Sequence, residues 1–313
     1  VDWSGSMHDN LIATVKQAIT LAMFCRKVGI PFDLYSFSDR TMYRNQWDNE
    51  GNLIPNENYA WKTEDQQQFK YNDLRMLNFL SSSMNQREFQ AACRVLFSVA
   101  SNEGASYKSD KPYTFVHPTM SLGGTPLDET LVALHWIVPQ FRQRHNIQIV
   151  NTVILSDGCG CQRFDGVIVN PITRVSYGAR RHEVSRIDST CLLLQSLKET
   201  TGSNLIGMYL CTSNNPIRGV YGSWLDQYNL EPAEEKSIRS SWKKERYYVA
   251  TGMYSKYFDE AYIIDARSNP ESDINIPDSA KTQAQLRNAF VKGMKSRGMS
   301  RNLVNRFVEA TAR

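Results

Sequence analysis

The run from Ile147 to Leu155 is almost continuously apolar and then stops abruptly at Ser156-Asp157-Gly158. A strand-length segment of this kind, without the alternation of a half-solvated strand, is expected where both faces of a sheet are covered. Covering both faces requires helices on both sides, which restricts the chain to α/β architectures. Asn204–Cys211 repeats the signature, and Ala261–Ile264 gives a shorter third run.

Helix-length units alternate with these runs. Leu11–Val28 places Leu11, Ile12, Val15, Ile19, Ala22 and Met23 at helical spacing, and Gly29-Ile-Pro31 ends it. Pro31–Ser38 alternates and reads as a strand. Residues 73–100 read as helix in two pieces broken near Ser81-Ser82-Ser83, and 101–120 as a loop. Pro126 opens a helix that runs to about His145, with a kink expected at Pro139. Further helices are expected over Ser189–Thr201, 232–246, Lys281–Gly293 and Ser300–Ala312. The fold expected is a doubly wound α/β sandwich with a mainly parallel sheet. One domain spans residues 1–265, with polar insertions at about 40–120 and 159–182, and a basic helical extension spans 266–313.

Composition fits an ordinary globular chain: 313 residues, 41% hydrophobic and 22% charged. A net charge of +4 hides an asymmetry, because residues 281–313 carry +7 and residues 1–280 therefore sum to −3. That basic tail has an apolar face (Val291, Met294, Leu303, Val304, Phe307, Val308). It reads as a solvated basic face, a dock for an acidic partner, or, least favoured, a phosphate-binding surface. Arg174, Arg180, Arg181 and Arg186 form a second basic group, read as a surface hairpin. Six cysteines are too few for a disulfide scaffold, and an intracellular, cytoplasmic location is expected. No run reaches the roughly 20 apolar residues of a membrane helix. Only Val1 precedes the first motif, so a fragment or processed product is expected.

Three short motifs carry the chemistry: Asp2-Trp-Ser4-Gly-Ser6-Met7, Gly123-Gly124-Thr125-Pro126 and Leu155-Ser156-Asp157-Gly158. Each places oxygen-bearing side chains on a turn beside a regular element. Ligands of open α/β sheets bind beyond the carboxyl ends of strands, where these turns fall. Carboxylates supply charge and hydroxyls supply neutral oxygens, the donor mix a small hard cation such as Mg²⁺ takes. Gly5 is expected to allow a tight turn, and Gly123-Gly124 to allow close approach of the second loop. The competing reading makes Asp2 a cap of the Leu11 helix or an Asx turn, and Thr125 and Asp157 ordinary turn residues.

Together these motifs resemble the metal-ion-dependent adhesion site of von Willebrand factor A domains: Asp-x-Ser-x-Ser, a distant Thr and a distant Asp. The resemblance implies Mg²⁺, Mn²⁺ or Ca²⁺ held directly by Ser4 and Ser6, and directly or through water by Asp2, Thr125 and Asp157. One position would remain for a carboxylate of a protein partner. Ser4-Gly-Ser-Met7, Gly123-Gly-Thr-Pro-Leu127, Leu155-Ser-Asp-Gly158 and Tyr257-Phe-Asp-Glu-Ala-Tyr262 look like the cobaltochelatase CobT-type branch, to which proteins of tailed phages are similar. Members of that branch work beside AAA+ ATPases of the MoxR type, so an adaptor of such an ATPase is implied. A phage-encoded member would reside in host cytoplasm or the virion, and a structural role in such an assembly is the alternative. A metal-dependent hydrolase is less favoured, because no base, H-E-x-x-H arrangement, P-loop or dinucleotide fingerprint is present. The chain reads as a non-catalytic binding module, with a chelatase-like subunit left open. Cys159-Gly-Cys161 with His182 reads as incidental rather than a zinc site, and His8 as a surface residue.

Overall fold

The computed structural model describes residues 1–39, 50, 74–105, 117–157, 166–169, 176–179, 186–211, 232–245, 247–249 and 257–265. It is a mixed α/β fold. In chain order its main elements are α1 (Leu11–Val28), β1 (Asp33–Ser38), β2 (Arg75–Ser81), α2 (Gln86–Ala105), α3 (Leu127–His145), β3 (Asn151–Ser156), β4 (Gly166–Val169), β5 (Ser176–Ala179), α4 (Arg186–Thr201), β6 (Asn204–Cys211), α5 (Pro232–Glu245), β7 (Tyr247–Val249) and β8 (Glu260–Asp265). The proposed 266–313 extension, Cys159, Cys161 and His182 lie outside the described residues, as do 40–49 and 51–73 of the first insertion.

Strands β3, β6 and β8 are parallel, and β7 closes the edge antiparallel to β8. β1 and β2 form an antiparallel pair. Backbone of the first residues joins the two sheets. Asp2 pairs in parallel with Phe37; the Trp3 N–H donates to the Phe37 carbonyl (2.9 Å) and the Asp2 N–H to the Leu155 carbonyl (2.8 Å). The order across the molecule is therefore β2, β1, the Val1–Ser4 segment, β3, β6, β8, β7.

Alternate residues of the central strands feed two separate cores, as the period of two requires. Leu205, Tyr209 and Cys211 of β6 pack with Leu127 and Leu131 of α3, Leu194 and Leu197 of α4, and Trp242 of α5. Ile206, Met208 and Leu210 pack with Leu11 and Val15 of α1 and with Phe89, Leu96 and Ala100 of α2. Below Val1, a largely apolar cavity of about 530 Å³ lies among α1, α3, β1 and β3.

Most expected elements form, with three corrections. Residues 75–81 are a strand, not helix. Met76, Leu77, Phe79 and Leu80 also fit a helical spacing, but the free edge of β1 offers a ladder of backbone partners that outweighs local preference. The helix begins after Asn85, whose side-chain oxygen accepts from the Arg87 and Glu88 N–H groups (2.9 and 3.0 Å). The Glu88 carboxylate accepts from the Asn85 N–H (2.8 Å), closing a capping box. Second, α2 continues to Ala105, so the expected loop starts later, and residues 75–105 contribute a strand and core positions. Third, β3 starts at Asn151 instead of Ile147, because Asn146 ends α3 in the left-handed region (φ 50°) and the chain needs 147–150 to turn back. Helix α3 runs unbroken through Pro139. A β4–β5 hairpin forms within 159–182, and Arg186 opens α4.

Candidate functional site

The carboxyl ends of β1 and β3 flank the Val1–Ser4 segment, so three chain segments turn outward side by side. Trp3 anchors the middle one: its indole N–H donates to the Met120 carbonyl (2.7 Å) and its ring lies 5.0 Å from that of Phe79. Buried Met7 and Leu11 hold the turn after it from below. The Gly-Gly-Thr loop docks on the same turn, with the Gly5 N–H donating to the Gly123 carbonyl (2.7 Å) and the Gly123 N–H to the Trp3 carbonyl (3.1 Å).

This scaffold links three of the five expected site residues, Ser4, Ser6 and Asp157, through their side-chain oxygens, with Asp2 on the same turn as the two serines. The Ser4 and Ser6 hydroxyls are 2.9 Å apart, and the Ser6 hydroxyl donates to Asp157 Oδ1 (2.7 Å). Asp2 is fully buried; its Oδ2 accepts from the Ser156 hydroxyl (2.5 Å), while its Oδ1 has no hydrogen-bond partner among the described residues. Thr125 is also buried and adjoins the docked glycines, but its hydroxyl forms no hydrogen bond with the other four. Asp2 is no helix cap: Asn10 occupies the N-cap of α1.

Burial pushes the Asp2 carboxyl up to about 7, with the Asp157 charge adding to the rise and the Ser156 and Ser4 hydroxyls opposing it. Burial also raises Asp157, against the stabilising hydrogen bond from Ser6. Two carboxylates whose ionised forms are both disfavoured, one with an unpartnered buried oxygen, make a site that gains from a cation. The donors are hard oxygens of mixed charge, which fits Mg²⁺, Mn²⁺ or Ca²⁺ and does not fit the softer thiolate and imidazole sites of zinc. Among the described residues, no three His, Cys, Asp or Glu side chains group as a ligand set, so hydroxyls must complete any coordination here.

Sequence reasoning missed Asp39 and the role of Ser156. The Asp39 carboxylate accepts from the Gly124 N–H, tying the end of β1 to the Gly-Gly-Thr loop. The signal was available: β1 ends Phe37-Ser38-Asp39 and β3 ends Leu155-Ser156-Asp157, the same apolar-Ser-Asp ending on the two strands beside the motif. The glycines also divide differently. Gly5 is not left-handed, and a Cβ there would make only an ordinary 3.8 Å contact with the Gly123 carbonyl, whereas a Cβ on Gly124 would crowd the Asp39 carboxylate. His8, expected at the surface, has a side chain only 11% exposed and lies 3.2 Å from Asp9.

Comparison with protein-family models, curated proteins and solved structures finds no match to this chain.

Proposed function

We propose that the chain is a divalent-cation-dependent protein-binding module of the von Willebrand factor A type, with Asp2, Ser4, Ser6, Thr125 and Asp157 holding the ion. The observation that carries this reading is the fully buried Asp2, with one carboxylate oxygen unpartnered among the described residues, beside the linked hydroxyls of Ser4 and Ser6 and the Asp157 carboxylate. Counting Val1–Ser4 as a strand, the order across the sheet is that of doubly wound folds, and Asp2 and Asp157 lie where that order reverses, the usual ligand crevice.

A bound divalent ion supplies a positive centre that attracts one further anionic oxygen. The chain's own groups do the rest. Asp2 and Asp157 roughly neutralise a double charge, Ser4 and Ser6 fill neutral positions, and Ser156 fixes the rotamer of Asp2 through Oδ2 so that Oδ1 remains free. A partner's Asp or Glu is the complementary group. The motif resemblance suggests an AAA+ ATPase of the MoxR type as that partner. Among the described residues no helix is long and apolar enough to cross a membrane.

Titration calorimetry with Mg²⁺ tests the reading. The wild-type chain should bind one equivalent, and Asp2→Ala should remain folded by circular dichroism and bind none. Unchanged binding in that variant would overturn the ligand assignment. Partner capture with Mg²⁺ against EDTA separates the adaptor from a scaffold, since only an adaptor loses its partner when the ion is removed.

A further inference from the structure

We propose that Asp39 is a positioning residue: its carboxylate clamps the Gly123-Gly124-Thr125 loop against the site and thereby sets where Thr125 stands. The loop is pinned at two residues. Gly123 is paired with Ser4 and exchanges backbone hydrogen bonds with the Trp3–Gly5 turn. Gly124, the next residue, is held by Asp39 Oδ1, which accepts its N–H. A carboxylate accepting an amide N–H is a charge-assisted bond, stronger than a neutral one. The fit is close: a Cβ on Gly124 would lie 2.8 Å from Asp39 Cγ, so a side chain there would force the Asp39 carboxylate to move. Thr125 follows directly, buried, with its carbonyl accepting the Leu127 N–H at 2.9 Å as α3 begins. Its hydroxyl makes no hydrogen bond that would orient it towards Ser4, Ser6 or Asp157, so its placement comes from the backbone, which Asp39 helps to hold. The consequence for Thr125 as a ligand rests on the cation-site reading above; the clamp itself does not.

The clamp is read without metal, by amide hydrogen exchange of the full chain in EDTA. The Gly124 amide should be protected in the wild type and exchange about tenfold faster in Asp39→Ala, while Asp39→Asn, which keeps an oxygen acceptor, should retain most of the protection. Gly124→Ala should lower Tm in the wild-type background and by clearly less in Asp39→Ala, since the truncation removes the obstructing carboxylate. Equal exchange at Gly124 with and without Asp39, or strictly additive Tm losses, would overturn the clamp. Calorimetry with Mg²⁺ then tests its purpose: Asp39→Ala should weaken binding about tenfold and Asp39→Asn by less. If the exchange and Tm coupling appear as expected but the wild type binds no Mg²⁺, the clamp stands and the cation reading fails. If Mg²⁺ binds equally well to wild type and Asp39→Ala, Asp39 does not position a ligand.

Discussion

The Ser156 hydroxyl donates to Asp2 Oδ2 at 2.5 Å, joining the end of β3 to the first turn of the chain. This bond satisfies one oxygen of a fully buried carboxylate, and the other has no partner among the described residues. A buried acid in that state is costly once ionised, and holding its pKa at about 7 instead of 3.8 corresponds to a cost on the order of 4 kcal/mol for the charged form. Asp2→Asn keeps the shape and removes the charge. In EDTA at pH 8 this variant is expected to be more stable than wild type by up to that amount in denaturant unfolding, and to lose Mg²⁺ binding.

The same shift gives a pH dependence with a definite sign. Folded Asp2 keeps its proton up to about pH 7, whereas the unfolded chain releases it near 4, so the folded state binds more protons between these values. The stabilisation is complete below about pH 4 and is lost as pH rises through about 7. In EDTA this contribution should fall across that window and be absent in Asp2→Asn. Because a cation needs the ionised acid, Mg²⁺ binding at pH 6 should release protons, measurable as a dependence of the calorimetric heat on the buffer's ionisation enthalpy.

Much of this arrangement was legible from residue order. The apolar runs ending at Ser156 and Cys211 became β3 and β6 because continuous burial on both faces leaves a strand few other places. Asp2, Ser4, Ser6, Thr125 and Asp157 could be grouped because three short motifs each place oxygen-bearing side chains on a turn beside a regular element and together, in that order, resemble a known cation site. Asp39 was not grouped, since a single Ser-Asp after a half-alternating strand is an ordinary turn until the neighbouring strand is known. Residues 75–81 were misread for the complementary reason: their spacing fits either period, and only the edge of β1, more than thirty residues earlier, decides between them.

Leu131 is fully buried where α3 packs over β6 and α4. Leu131→Ala should cost about 2–5 kcal/mol in urea unfolding, through lost transfer energy and the cavity left behind. Mg²⁺ affinity of the folded fraction should change little, because Asp2, Ser4, Ser6 and Asp157 stand on other segments and Leu131 lies beyond the start of α3 that follows Thr125.

Gly29 closes α1 in the left-handed region, with φ of 75° and open space around the position of a Cβ. Gly29→Ala should therefore cost about 1 kcal/mol from backbone strain alone, seen as a small drop in Tm.

The most direct measurement is anomalous diffraction from crystals of the full chain soaked in Mn²⁺, a hard-oxygen stand-in for Mg²⁺. The result expected is one strong peak within bonding distance of the Ser4 and Ser6 hydroxyls, with Asp2, Thr125 and Asp157 bound directly or through one water. A peak elsewhere, or none at a concentration that saturates known oxygen-ligand sites, would contradict the proposed cation site.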